Sequence, residues 1–317
     1  MYRYQRIINL IVFTWIVVMT FNINHNPFTA SDINMVSDTM TVTKKEDPLY
    51  IEISEKSSSL SEQPQNAYID KVWKKTPGRN GLKVNVGESY KKMKKKGVYN
   101  KSLLVFDQIP PEKMLKDLPA SPIFRGHPEK KAVSFLINVS WGTEHIPDIL
   151  NILKEHDIKA TFFIEGKWAK ENVNLVKMID EQGHVIGNHA YDHPVMSRLS
   201  KEEIDKQIIQ TNDVLKAITG KNPKWFAPPS GDYTDEVVQS ANDLQMETIL
   251  WTVDTVDWKN PSVSVMMKRV VSNLHPGAMI LMHPTVPVVN GLQPMITEIK
   301  KSGYKISTVN NLLSEER

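Results

Sequence analysis

The sequence contains no cysteine. This absence excludes disulfide bonds, thiolate-bound metal and iron–sulfur sites, a cysteine nucleophile and lipid attachment through an N-terminal cysteine. A strong excess of either charge is also missing, because 39 Lys and Arg offset 36 Asp and Glu to leave a net charge of +3. Bulk charge therefore does not favour nucleic-acid binding, and we expect no nucleic acid among the partners. What is present is a hydrophobic fraction of 40% in 317 residues, which suffices for one large domain with an additional segment.

An apolar run at residues 7–21 follows Arg3 and Arg6. It is shorter than the ~20 residues that a membrane-spanning helix needs, and it fits the core of a signal sequence. The cleavage signal is poor, because the best candidate, Phe28-Thr29-Ala30, has a bulky residue where a small one is preferred. We therefore predict a signal peptide or an uncleaved signal anchor over residues 1–30. The chain is expected to be exported and either anchored to the cell membrane or secreted into the cell-wall space.

The composition then changes twice. Residues 31–70 are rich in Ser, Thr, Asn, Asp and Glu, which predicts a polar, disordered stalk. Residues 71–101 hold eleven Lys and Arg against one Glu. Alternating and helical patterns over residues 71–125 predict a small basic α/β module. Its charge could hold an anionic wall polymer or lipid head groups, although a solvated helix face would explain each lysine equally well.

Residues 126–317 show a regular alternation of buried strands and helices. The apolar run at residues 132–139 suits a strand that is covered on both faces. About seven such strand–helix units follow one another, which predicts an α/β fold, a distorted (β/α) barrel of parallel strands.

Residues capable of chemistry stand where these strands end, and in a β/α barrel those ends form one face. They come from five segments: Asn138; His189 and His193; Pro228, Pro229 and Gly231; Asp254 and Asp257; and His283.

Each signal has a structural alternative. Two histidines four residues apart, His189 and His193, can share a metal, but such a pair is also common by chance. Asp254 and Asp257 can supply carboxylates, or a helix cap and a surface charge. His283 can be an acid or base beside a carboxylate, or a buried histidine with satisfied hydrogen bonds.

The motifs GNHAYDHP (187–194), FAPPSG (226–231), DTVDW (254–258) and LMH (281–283) resemble those of the NodB-type polysaccharide deacetylases, carbohydrate esterase family four. The whole chain, with its N-terminal segment and basic region, is similar to the YlxY-like, sporulation-associated subgroup.

The resemblance implies amide hydrolysis on a cell-wall glycan. A divalent metal, zinc or cobalt, would be held by His189 and His193. His283 would act as general acid, and an aspartate of the 254–257 motif would orient a partner. Pro228, Pro229, Gly231, Trp258 and Trp141 would form the substrate groove. The partner would be peptidoglycan or another N-acetylated glycan.

Three positions depart from the family pattern. Asn138 stands where the family has the base aspartate, and an amide cannot accept a proton near neutral pH. Val139 stands at the position of the ligand aspartate, and Ala227 replaces an arginine. A buried arginine without its carboxylate partner would be costly, so these losses fit together.

Two hypotheses follow from these departures. The first is a weak or inactive deacetylase that binds peptidoglycan-type glycan, with metal bound weakly or not at all. The second is an active deacetylase with a rebuilt site, in which Glu144 or Asp192 supplies the missing ligand or base. The alternative role for Glu144 is a favourable acidic charge at the start of a helix. A third option is that residues 71–125 carry the function and the barrel is a platform.

Overall fold

The computed structural model describes residues 11–13, 15 and 47–317. The predicted targeting segment and the first part of the predicted stalk lie outside these residues, apart from four helical positions. None of the helices among the described residues combines the length and the apolar character that crossing a bilayer requires.

Twelve strands are found among the described residues. They are β1 (Tyr68–Asp70), β2 (Lys74–Thr76), β3 (Gly81–Val84), β4 (Phe106–Ile109), β5 (Ala132–Val139), β6 (Thr161–Ile164), β7 (Val185–Asn188), β8 (Trp225–Phe226), β9 (Glu247–Thr248), β10 (Val253–Asp254), β11 (Met279–Met282) and β12 (Lys305–Ser307).

Ten α-helices are described from residue 47 onward. They are α1 (Pro48–Ser57), α2 (Val86–Met93), α3 (Ile146–Glu155), α4 (Gly166–Glu171), α5 (Val173–Glu181), α6 (Lys201–Thr219), α7 (Asp235–Asp243), α8 (Val263–Ser272), α9 (Val286–Lys301) and α10 (Val309–Leu313).

The central sheet confirms the predicted barrel. Its strands are parallel and follow the order β10-β11-β5-β6-β7-β8-β9, while β12 pairs with the beginning of β5. Because β9 and β10 stand at the two ends of this order, the barrel is curled but not closed by strand pairing. Residues 122–126 lie at this seam: Ile123 bridges both Ile249 and Lys74, and Arg125 bridges Ala278.

Alternation along β5 separates two apolar layers. Val133, Phe135, Ile137 and Val139 belong to the core cluster between sheet and helices. Leu136 belongs to a second cluster with inward residues of neighbouring strands. Since successive side chains of a strand point to opposite faces, Asn138 shares the inward face of Leu136.

The chain outside the barrel is organised differently from the sequence prediction. Residues 47–61 and 83–107 form one compact unit, and residues 62–82 and 108–317 form another. The predicted stalk (31–70) therefore includes the helix α1, in which Leu49 and Ile53 are buried against Tyr90 and Met93 of α2. Their four-residue spacing puts both on one helix face, and the polar composition of the segment concealed this small core.

The boundaries of the predicted basic module (71–125) also differ from those of the compact units. The hairpin β1–β2 and residues 108–125 belong to the barrel unit, whereas α1 joins the smaller one. Of the apolar run at residues 103–106, only Phe106 belongs to a strand, because a 3₁₀ turn capped by Asn100 occupies residues 101–103.

Candidate active site

A cavity of about 390 Å³ lies at the carboxyl ends of the barrel strands. It collects side chains from six strand ends and their loops, as the convergence of polar residues in the sequence predicts. Its lining consists of Asn138, Ser140, Trp141, His189, His193, Ser230, Trp251, Asp254, Trp258, Leu281 and His283.

Two histidines from the loop after β7 meet in this cavity. Their ring centroids lie 5.1 Å apart in an edge-to-face arrangement. Ala190 (φ 60°) and His193 (φ 57°) both adopt the left-handed backbone region, which folds the loop tightly. Nδ1 of the buried His189 lies 2.7 Å from the carbonyl oxygen of Ala227, so this nitrogen donates and Nε2 is left as the acceptor. Burial lowers the pKa of His189 to about 3, so the ring is neutral and suited to a ligand role at neutral pH.

A carboxylate–imidazole pair forms the opposite wall. Oδ1 of Asp257 lies 3.1 Å from Nδ1 of His283, and Oδ2 accepts the backbone N–H of His283 at 3.2 Å. The hydroxyls of Thr255 and Thr285 donate to the same carboxylate at 2.6 and 2.9 Å. Burial opposes ionisation of Asp257, but the hydrogen bonds led by His283 outweigh it, and the pKa of Asp257 lies below its ordinary value. Asp257 therefore orients His283, whose ring lines the cavity.

The second carboxylate of this segment faces the cavity directly. Asp254 ends β10 beside Leu281 of β11 and accepts the backbone N–H of Val256 at 2.7 Å. Val256 has φ 52°, a left-handed conformation that a β-branched residue rarely adopts. The tight turn separates the roles of the two carboxylates: Asp254 lines the cavity and Asp257 supports His283.

The end of β5 supplies a buried amide side chain to the cavity. Asn138 is 4% exposed and lines the cavity, and its Oδ1 has no hydrogen-bond partner among the described residues. Val139 packs into the apolar layer between sheet and helices. Ser140 follows at the cavity wall, and its buried Oγ is also without a hydrogen-bond partner in the described part of the chain.

The predicted groove motif lies only partly at the cavity. Pro228 and Pro229 are buried outside its lining. Ala227 is 2% exposed and packs inside the barrel, and it contributes its carbonyl oxygen to His189. Gly231 (φ 68°) lies against the indole of Trp251, which an added Cβ would approach to 2.7 Å.

Exposed aromatic rings flank the cavity. Trp141 is 46% exposed and stacks on the His283 ring, with a centroid distance of 6.0 Å and an interplanar angle of 10°. Trp258 is 54% exposed, and Nζ of Lys259 lies 4.8 Å from its ring centroid. The turn that follows Trp141 requires Gly142, whose φ is 73° and whose added Cβ would meet the carbonyl oxygen of Pro284 at 2.1 Å.

The two acids considered as replacements do not reach the cavity. The side chain of Glu144 is 73% exposed and lies 3.6 Å from Nε2 of His145. Oδ1 of Asp192 accepts a hydrogen bond of 2.7 Å from Gln207. Neither acid lines the cavity, because each stands on the outer side of its loop.

Sequence reasoning did not single out four lining residues: Ser140, Ser230, Trp251 and Leu281. The strand pattern gives a signal for Ser140, which directly follows a predicted strand end. Trp251 carries no such signal, because it enters the cavity only where the chain crosses the seam from β9 to β10.

The donor set does not complete a metal site. A catalytic zinc site has three protein ligands and an open position, whereas here two imidazoles face each other without a carboxylate. In the described part of the chain there is no group of three or more His, Asp or Glu side chains arranged to hold a metal ion.

Comparisons with known proteins identify the family of the chain. The polysaccharide deacetylase family model matches residues 125–249. The protein YlxY of Bacillus subtilis is 47% identical over 315 residues, 99% of each chain. A peptidoglycan-N-acetylglucosamine deacetylase of Bacillus cereus is 35% identical over 201 residues, which is 61% of this chain and 73% of that protein.

Among solved structures, BA3943 of Bacillus anthracis is described as a CE4 family pseudoenzyme. It is 49% identical, has a TM-score of 0.82 and covers 86% of this chain and 97% of its own. A mutant of BA3943, described as having restored enzymatic activity, matches with a TM-score of 0.81 and 48% identity over 85% of this chain and 99% of its own.

Proposed function

Because the chain belongs to the polysaccharide deacetylase family, also named carbohydrate esterase family four (CE4), we propose that its cavity binds peptidoglycan-type N-acetylated glycan with little or no deacetylation. One observation carries this proposal: the inward residue at the end of β5 is Asn138, and among the described residues no His, Asp or Glu joins His189 and His193 in a group of three that could hold a metal ion.

Hydrolysis of an acetamide needs a group that removes a proton from water and a group that protonates the leaving nitrogen. His283, held by Asp257, is placed for the second task. An asparagine amide cannot perform the first. The two imidazoles alone are expected to bind zinc or cobalt weakly or not at all, so we derive no step through a metal.

The cavity retains features that suit sugar binding. The exposed indoles of Trp141 and Trp258 offer apolar faces at its mouth, and the amide of Asn138 and hydroxyl of Ser140 offer polar groups within it. Relatives named as peptidoglycan deacetylases act on an N-acetylated glycan, which supports this substrate class.

The second candidate is an active deacetylase with a rebuilt site. The intact pair of Asp257 and His283 favours it. It requires the loops that carry Glu144 or Asp192 to bring a carboxylate into the cavity when glycan binds.

Acetate release tests both candidates. N-acetylglucosamine oligomers and peptidoglycan would be incubated with the protein, with and without added zinc or cobalt, beside the His283→Ala variant. We expect no release from either protein, while quenching of tryptophan fluorescence shows that oligomer binds. Release that disappears in His283→Ala would establish the second candidate, and Glu144→Gln and Asp192→Asn would then identify the rebuilt group. Absence of both release and binding would reject both candidates.

We further propose that the protein is exported and acts in the cell-wall space during sporulation, with residues 1–30 as signal peptide or anchor. The lysines of residues 71–101 would hold an anionic wall polymer or lipid. Lys92 and Lys95 are exposed beside the buried Met93. Their reversal to glutamate should weaken retention on teichoic-acid-bearing walls or anionic vesicles, while glycan binding in the cavity remains. Loss of glycan binding instead would favour residues 71–125 as the functional part.

A further inference from the structure

The hairpin β1–β2 presents an apolar tip on the barrel unit. Within six residues, Tyr68, Ile69, Val72 and Trp73 are 42%, 44%, 66% and 37% exposed. Turns between strands ordinarily carry Gly, Pro, Asn, Asp or Ser. A valine and a tryptophan at such a tip expose apolar surface that neither the turn nor the core requires.

The tip is held in a fixed conformation. Oδ1 of Asp70 accepts the backbone N–H groups of Val72 and Trp73 at 2.7 and 2.8 Å. These hydrogen bonds also lower the pKa of Asp70, so it is ionised at neutral pH. The indole of Trp73 packs edge-to-face on Phe124, with 6.4 Å between centroids. Ordering of the tip therefore costs little when a partner binds.

The base of the hairpin is fastened to the barrel. Lys75 is 1% exposed, and its Nζ lies 2.6 Å from Oε1 of Glu247. Its backbone N–H donates to the carbonyl of Pro122 at the seam. The base of the hairpin is therefore held against the barrel by both side-chain and backbone contacts.

The charges around the tip are mainly positive. Lys71 and Lys74 are exposed on either side of Val72 and Trp73, and Arg125 is close enough to Asp70 to lower its pKa. The carboxylate of Asp70 is already engaged with the turn. An apolar tip, a tryptophan and flanking lysines together match the interface of an anionic bilayer, where indole rings sit at head-group level and lysines contact phosphate.

We propose that this hairpin tip docks on the surface of an anionic lipid bilayer, with Val72 and Trp73 entering the interface and Lys71 and Lys74 contacting head groups. For residues 71–101 we suggested either an anionic wall polymer or lipid as the partner. At the hairpin tip the proposed partner is lipid alone. It does not depend on glycan binding in the cavity.

The length of the N-terminal region allows such docking. Residues 22–46 separate the apolar run from the first residue of the folded part. Twenty-five residues span at most about 85 Å when extended. A chain attached by its N-terminal segment would keep residue 47, where the continuous described part begins, within that range of the membrane.

A single environment-sensitive fluorophore tests the proposal, because the chain has no cysteine of its own. The full chain would carry the label at Val72→Cys or, as a control, at Val265→Cys. Val265 is 50% exposed on α8. The probes are phosphatidylglycerol/phosphatidylethanolamine vesicles and pure phosphatidylcholine vesicles. We expect a blue shift and quenching by nitroxide-labelled lipid at position 72 with the anionic vesicles, and neither effect at position 265.

The label reports on its own position, so the test remains valid even where the N-terminal segment binds the vesicle. Adding Lys71→Glu and Lys74→Glu to the chain labelled at 72 should reduce the fluorescence response to anionic vesicles about tenfold. Trp73→Ser should reduce the depth at which the label enters the bilayer.

Three outcomes would overturn the proposal. Equal responses at positions 72 and 265 would show that the tip has no special contact. A shift without vesicles that grows with protein concentration would indicate a second copy of the chain. A shift with peptidoglycan but none with vesicles would identify glycan. In each case the tryptophan-quenching assay of cavity binding remains a separate readout.

Discussion

Replacement of Asn138 by aspartate should make the stability of the protein depend on pH. The side chain is 4% exposed and its Oδ1 has no partner among the described residues. The described residues that line the cavity include no lysine or arginine. A carboxylate at this position would therefore be buried without a lysine or arginine among the described lining residues, which raises its pKa.

The size of the effect follows from the shift. An aspartate has a pKa of ~3.9 in the unfolded chain. Burial of this degree raises it by roughly two to three units, and each unit corresponds to about 1.36 kcal/mol. Because the folded pKa is the higher one, the folded state binds more protons, and stability falls as pH rises from about 4 to 7. Asn138→Asp should lose about 3 kcal/mol relative to wild type at pH 7 and little at pH 4.

Urea unfolding between pH 4 and 7.5 measures this difference. Asn222→Asp, at an exposed loop position, serves as the matched control and should follow the wild type at every pH. A penalty for Asn138→Asp that stays constant with pH would refute the argument, since it would point to altered packing. No penalty at pH 7 would mean that water or a cation reaches the position.

A second substitution, at Ala227, tests whether the residues at positions 138 and 227 are coupled. It lies inside the barrel near the end of β8, where the family has an arginine. If the losses are coupled, Ala227→Arg in the Asn138→Asp background should recover stability at pH 7 and not at pH 4. Additive effects at both pH values would show that the two positions do not interact.

Three further predictions concern the surrounding structure. Glu247→Ala should cost about 3 kcal/mol in urea unfolding, because it leaves the buried ammonium of Lys75 unpaired, whereas Lys75→Met should cost much less; equal losses would contradict a buried-charge effect. His189, with its pKa lowered to about 3, must gain a proton on unfolding below pH 6.5, so this residue alone should remove about 2 kcal/mol of stability between pH 7 and 5, and His189→Gln should lose that much less than the wild type over this range; identical slopes would rule out this histidine as a cause. Gly142→Ala should displace the stacked Trp141 and weaken oligomer binding measured by tryptophan fluorescence, since its Cβ would lie 2.1 Å from the Pro284 carbonyl oxygen; unchanged binding would show that the turn can relax.

The barrel could be predicted because the patterns that indicate its strands lie within short stretches of sequence. A continuous apolar run such as residues 132–139 can only be a strand covered on both faces, and polar residues that follow several such strands must meet at one face. The cavity lining at His189, His193, Asp254 and His283 follows from that rule.

The remaining features depend on contacts between distant residues. Leu49 and Ile53 become a core only when Tyr90 and Met93 cover them, and a polar segment with two apolar residues does not reveal that partner. Trp251 reaches the cavity because the sheet is open between β9 and β10, which depends on the seam segment around Ile123. The outward packing of Val139 likewise follows from the register of β5 with β6.

Two of the motif residues that line or support the cavity also have a structural role. Asp257 accepts hydrogen bonds from three residues of two loops, so its loss would leave several buried donors unsatisfied. His189 joins the β7 loop to the β8 loop through the carbonyl of Ala227. Asn138 differs from both, because its Oδ1 bonds to none of the described residues. The side chains of Asp257 and His189 therefore support the fold as well as the cavity, whereas the amide oxygen of Asn138 makes no such contact among the described residues.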